Sequence, residues 1–195
     1  MKIELTVRPL LMPRFYLLLQ QGIMVKVQVN CSIQSLLCDQ LDINRSYLDE
    51  RIQTIFLDGR PVDDINGALV KDRSTLALSA AMPGLVGAVL RRGGYYAPMR
   101  REISYEEKKQ GLTLQEGTVI IKLFNLLTEE LGPSFLLRGI WTNGKDVKDI
   151  IKGGADESWS GWLEARIDEK IIDLEELRKM TWPDGEIFLR VRTEV

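Results

Sequence analysis

Hydrophobic and polar residues alternate from the start of the chain. Ile3, Leu5 and Val7 fall on one side of an extended backbone and Glu4, Thr6 and Arg8 on the other. A period of two predicts a half-buried strand over Lys2–Leu11, ended by Pro13. Gly22 precedes a second alternating run, with Ile23, Val25, Val27 and Val29 opposite Met24, Lys26, Gln28 and Asn30. The period then changes. Ser32 has the side chain of an N-cap, and Ile33, Leu36, Leu37 and Leu41 recur on one helical face, which predicts a helix over Ser32–Leu41. Ile52–Leu57 is apolar and β-branched. Asp58-Gly59 before Arg60-Pro61-Val62 reads as a tight hairpin turn, with a bulge at Gly59 as the alternative. A strand over Arg73–Ala81 completes the order strand, strand, helix, strand, strand.

The second half runs through the same order. Thr118–Leu127 parallels Lys2–Leu11, and Val147, Ile150 and Ile151 behind Asp146 parallel Ile33, Leu36 and Leu37 behind Ser32. Ile167–Ile172 parallels Leu57–Val62, and Asp184 before a strand over Gly185–Thr193 parallels Asp72. The spacing between equivalent positions drifts only in loops, as a hidden repeat requires. The expected division is therefore a domain over residues 1–90, a linker over 91–117 and a second domain over 118–195. The linker is rich in glycine and charge, with room for one strand near Arg101–Tyr105. The expected fold class is α+β.

Composition narrows function by exclusion. The 195 residues hold no histidine and two cysteines, Cys31 and Cys38. That removes Ser-His-Asp and Cys-His catalysis, histidine metal sites and a structural zinc site. With no cofactor fingerprint either, the expectation is a non-catalytic protein without cofactor or metal. The net charge of -2 gives no general attraction to nucleic acid or to anionic membrane. The N-terminus lacks a signal-peptide core. The longest apolar run, Leu76–Leu90, is broken by Pro83 and two glycines and falls short of the roughly 20 residues of a membrane span. These features point to the cytoplasm, where both thiols stay reduced.

The order of the motifs resembles the β-grasp (ubiquitin-like) fold, and within it the sulfur carriers: the small subunit of molybdopterin synthase and the thiamine sulfur carrier. The carrying features are an opening strand such as Val119–Leu127, a capped helix ending in paired aliphatics (Leu36-Leu37; Ile150-Ile151), the Leu57–Val62 turn and Asp184-Gly185-Glu186 before a last strand. The resemblance implies two tandem ββαββ domains whose open sheet faces and edges take a protein partner in a sulfur-transfer or molybdenum/tungsten-cofactor pathway. The carriers end in an exposed Gly-Gly whose carboxylate is activated. Here the chain given closes on Arg192-Thr193-Glu194-Val195, and the first copy continues through Pro83–Ala88. An adaptor or binding module, rather than a carrier, is the leading expectation.

Four stretches remain as candidate sites. Arg91-Arg92-Gly93-Gly94 resembles the ubiquitin tail, and cleavage after Gly94 would release a carrier; an ordinary linker is the plainer reading. Arg91, Arg92, Arg100 and Arg101, with Tyr95 and Tyr96 between them, form a basic–aromatic cluster of the kind that holds single-stranded RNA. A solvated linker paired with Glu102, Glu106 and Glu107 competes with that reading. Trp159 and Trp162, around Ser160-Gly161, are the candidate partner-facing patch. Gly139–Lys145 has the spacing of a phosphate loop, but Asp146 stands where the magnesium-binding hydroxyl belongs, so a turn at Asn143-Gly144 followed by a helix cap is preferred.

Overall fold

The computed structural model describes residues 1–105, 113–153 and 161–194. In chain order the elements are β1 (Lys2–Val7), a 3-10 segment (Pro9–Phe15), α1 (Tyr16–Gln21), β2 (Ile23–Val29), β3 (Cys31–Ser32), α2 (Ile33–Ser35) continuing as a π turn (Leu36–Gln40), α3 (Arg45–Glu50), β4 (Thr54–Leu57) and β5 (Arg60–Pro61). Then come β6 (Leu69–Val70), β7 (Thr75–Ser79), α4 (Gly84–Leu90), a second 3-10 segment (Ala97–Ile103), β8 (Gln115–Phe124) and α5 (Leu126–Arg138). The chain closes with β9 (Ile140–Asn143), α6 (Gly144–Lys152), β10 (Trp162–Ile167), β11 (Lys170–Ile172), α7 (Leu174–Lys179) and β12 (Glu186–Thr193). The protein is thus of mixed α and β structure.

Local chemistry sets the boundaries, and several differ from the sequence expectation. β1 stops at Val7 because Pro9 opens a helical turn and has no amide for a ladder. Ser32 caps α2 as expected, accepting a hydrogen bond from the Ser35 amide at 3.1 Å. The cap of α6 is Asn143, whose side chain accepts from the Lys145 amide at 2.8 Å, so Asp146 lies inside the helix. β8 ends at Phe124, where Asn125 takes φ 55 and turns the chain into α5. The strand expected near Arg101–Tyr105 is instead the end of the second 3-10 segment, in which Pro98 fixes the first turn.

Two compact units result. One is continuous, Met24–Leu127; the other is split, Met1–Ile23 with Thr128–Val195. In the continuous unit the strands lie in the order β2-β8-β7-β4-β5, with a small β3-β6 pair beside them. In the split unit the order is β9-β12-β1-β10-β11. The sequence division groups Lys2–Leu11 with residues 1–90. In the structure β1 pairs in parallel with β12 and antiparallel with β10, and β8 pairs in parallel with β7.

The two units follow one plan. The central strands β7 and β8 run parallel with Thr75 opposite Ile120, and β1 and β12 run parallel with Lys2 opposite Phe188. The Ile120 amide donates to the Ser74 carbonyl, as the Phe188 amide donates to the Met1 carbonyl. Each third strand pairs antiparallel with the first strand of a hairpin, β4-β5 or β10-β11. Both hairpins turn through two residues of positive φ, Asp58 (50) and Gly59 (79) in one, Asp168 (45) and Glu169 (73) in the other, which is the twist-matched hairpin turn.

The aspartate does the same work in each turn. The Asp58 amide donates to the Thr75 carbonyl and its carboxylate accepts from the Thr75 amide at 2.7 Å. The Asp168 amide donates to the Lys2 carbonyl and its carboxylate accepts from the Lys2 amide at 2.8 Å. Position and clamp therefore make β1 the counterpart of β7 and β12 the counterpart of β8. The third strand of the split unit comes from the front of the chain.

Each unit buries its own apolar side chains: Val25, Ile33, Leu36, Leu37, Leu48, Ile55, Leu57, Leu76, Val119 and Ile121 in one; Leu5, Phe15, Val147, Ile151, Ala165, Leu177, Leu189 and Val191 in the other. No helix of the described residues is long and apolar enough to cross a membrane.

Candidate protein-binding surface

The stretch expected as a linker begins as ordered structure on the continuous unit. α4 and the 3-10 segment Ala97–Ile103 are in contact, and both are tied to the sheet end. The tie is Arg100, a buried charge whose side chain is 2% exposed. Its Nη1 and Nη2 donate to the two oxygens of Asp63 at 3.0 and 2.8 Å, a forked pair. Its Nε donates to the Val89 carbonyl at 2.8 Å, and Nη1 also reaches Ser104 Oγ at 2.8 Å. A buried guanidinium is tolerated only when its donors are satisfied in this way.

Secondary ties surround it. The Gly93 amide donates to Asp63 Oδ1 at 2.9 Å, and Gly93 takes φ 61, a conformation that suits glycine. The Arg92 amide donates to the Gln53 carbonyl, and its guanidinium reaches the Leu48 carbonyl at 3.1 Å and Asp49 at 3.6 Å. Arg91 gives its Nε to the Gln53 side chain. The Tyr105 amide donates to the Pro61 carbonyl, which fastens the far end to β5. Inside α4, a side chain at Gly87 would overlap the Met82 carbonyl, so only glycine allows that turn to close.

This fastened segment turns large apolar side chains outward. Leu85, Val86, Tyr95 and Met99 are 68%, 70%, 91% and 71% exposed, and Tyr96 and Ile103 are exposed beside them. Single exposed apolar residues are ordinary, but six within nineteen residues of one segment are not. Tyr95 and Tyr96 pack edge to face at 5.1 Å.

The structure sorts the four arginines of the basic cluster by role. Arg100 is an internal anchor and Arg92 is half-buried against Asp49, whereas Arg91 and Arg101 remain at the surface. Glu106 and Glu107, expected to pair with them, lie outside the described residues. Gly93 and Gly94 sit in a closed turn, with the Gly94 amide donating to the Arg91 carbonyl at 3.2 Å, rather than in an extended strand.

The tryptophan patch divides as well. Trp159 lies outside the described residues. Trp162 is 5% exposed on β10 and meets Phe15 edge to face at 5.9 Å, so it is a core residue of the split unit. Alternation along β10 turns it inward, and Gly161 allows Leu11 to approach. At Gly139–Lys145 the chain forms β9 and the start of α6, and a side chain at Gly144 would press on the Pro183 carbonyl. Cys31 is buried and accepts a hydrogen bond from Gln40 at 3.3 Å; burial pushes both thiols above their ordinary pKa. Among the described residues no group of histidine, cysteine and carboxylate side chains could hold a metal ion.

The exposed faces of α4 and the 3-10 segment are features that sequence reasoning missed. The signal was present in Leu85-Val86 and Met99, apolar residues outside the repeat. No protein-family model, no curated protein and no solved structure matches this chain.

Proposed function

We propose that this chain is a non-catalytic protein-binding or adaptor module built from two β-grasp-like units, and that it docks a partner through α4 and the 3-10 segment Ala97–Ile103. The observation that carries the reading is the union of exposed apolar side chains with a buried anchor. Leu85, Val86, Tyr95 and Met99 face solvent on a segment that Arg100 and Asp63 hold in place. A surface fixed in advance loses less conformational entropy when a partner covers it. The duplicated sheet plan and the Asp58 and Asp168 hairpins support the β-grasp comparison, and through it a place in sulfur transfer or molybdenum/tungsten-cofactor handling. That last step is an analogy from fold.

The test is a Leu85→Asp/Met99→Asp double variant. Both side chains lie outside the core, so the melting temperature stays within a few degrees of the parent. The variant loses a partner that the parent retains on co-purification from the native host. Equal retention by both proteins refutes the reading.

A further inference from the structure

We infer that the partner of this surface presents apolar side chains set among aspartates and glutamates; the inference rests on the docking reading above and specifies its chemistry. The chain carries a net charge of -2, yet residues 84–105, which bear this surface, hold four arginines and one glutamate. Arg91 and Arg101 are exposed there, and Arg60 is exposed on β5, to which Tyr105 fastens the end of the segment. No carboxylate among the described residues pairs with these three: Arg91 meets the neutral Gln53 side chain, and the Arg60 and Arg101 side chains have no partner among the described residues. Arg92 and Arg100, in contrast, are matched by Asp49 and Asp63. Glu102 is the one exposed carboxylate of the 3-10 segment.

Exposed aliphatic side chains on one segment with arginines that no carboxylate of the described residues pairs select a partner by two separate terms. Burial of Leu85, Val86 and Met99 supplies affinity, and the arginines set the sign of charge that is tolerated beside it. A protein segment fits better than a nucleic acid. Leu85, Val86, Met99 and Ile103, four of the six exposed apolar side chains, are aliphatic and are covered best by other aliphatic groups, whereas only Tyr95 and Tyr96 offer a ring on which a base could stack.

The experiment places a photo-cross-linking amino acid at position 99 of the full chain in the native host, with position 10, exposed on the split unit, as the control. Cross-linked peptides are identified by mass spectrometry. The expected product is one protein segment with carboxylates flanking aliphatic residues. Its yield falls about tenfold between low and high salt, where the charges of these arginines are screened within a few ångström. An Arg60→Glu/Arg101→Glu double variant loses it. A basic or neutral segment, or a yield indifferent to salt, overturns the acidic-partner inference and leaves the docking surface standing. A cross-link to nucleic acid overturns both. Cross-linking at position 99 no greater than at position 10 overturns the docking surface itself.

Discussion

Removing Asp63 should destabilise the α4 segment more than removing Arg100, although the two form one pair. The asymmetry comes from exposure. The Arg100 side chain is 2% exposed and that of Asp63 is 40% exposed. In Asp63→Ala the guanidinium stays buried, keeps only the neutral Val89 and Arg91 carbonyls and Ser104, and loses its counter-charge. A buried charge stripped of its partner costs about 3–5 kcal/mol, and the Gly93 amide loses its acceptor as well. In Arg100→Met the carboxylate left behind hydrates, and the main loss is the carbonyl orphaned at Val89, about 1–3 kcal/mol, while the Arg91 carbonyl keeps the Gly94 amide. The double variant should then resemble Arg100→Met, so the coupling between the sites is as large as the Asp63→Ala effect itself, about 3–5 kcal/mol.

Because the segment can open without the sheet, global unfolding is the wrong assay. Amide exchange at Arg91 and Arg92, which donate to the Gly87 and Gln53 carbonyls, reads the local opening. Protection there should fall about a hundredfold or more in Asp63→Ala and roughly tenfold in Arg100→Met. Equal losses, or a larger loss in Arg100→Met, would refute the argument that desolvation of the guanidinium governs this contact.

Four further outcomes follow from other parts of the molecule. Residues 24–127 excised alone should give a cooperatively folded protein by circular dichroism and NMR, whereas residues 1–90 should not, because they lack β8 and leave β7 without its parallel neighbour. Glu169→Gly should raise stability by about 1 kcal/mol in urea titration, since Glu169 holds φ 73, where a side chain is strained. The Arg166 hydrogen bond holds the Glu164 carboxyl below its ordinary 4.5, with burial opposing and the Arg166 and Arg192 charges assisting. The stabilisation this gives is present above the unfolded value and fades as pH falls through the folded one; an NMR titration of Glu164 should show a depressed midpoint that Arg166→Ala returns towards 4.5. Finally, Cys31 should react with a disulfide reagent more slowly than Cys38 in the folded protein, since it is buried and Cys38 only half-buried.

Much of the local structure was legible in the sequence. Alternation found β1 and β2, Ser32 announced its helix, and Asp58-Gly59 announced the hairpin. Asp168-Glu169 was legible only through its likeness to that hairpin, because glutamate is a poor residue for a positive φ. What alternation cannot encode is the partner of a strand. Lys2–Val7 has the same pattern whichever neighbour it pairs with, and the choice rests on contacts far along the chain, such as the Lys2 amide with Asp168. The exposed apolar segment was hidden for a different reason. Arg100 reads in sequence as one more exposed cation in a charged linker. Its burial depends on Asp63, thirty-seven residues earlier, in a pair of acids that reads as a solvated turn.

The relocation of β1 has a mechanical consequence. In the continuous unit the hairpin, the third strand and the second strand follow one another along the chain. In the split unit the hairpin β10-β11 is followed by α7 and then directly by β12, and the place between β10 and β12 is filled by the N-terminal strand. The first twenty-three residues bring with them Ile3, Leu5, Val7, Leu11, Met12, Phe15, Leu18 and Leu19, all buried. At about 1.5–3 kcal/mol for each large side chain, the gross stabilisation they bring is as large as, or larger than, the net stability of an ordinary domain. The C-terminal segment should therefore not fold stably without the N-terminus, whereas the continuous unit draws its strands from residues 24–127. Such an arrangement makes the chain ends depend on one another. It leaves α4 and the 3-10 segment, inserted between β7 and β8 of the continuous unit, free to carry the proposed docking surface away from the strand that joins the two chain ends.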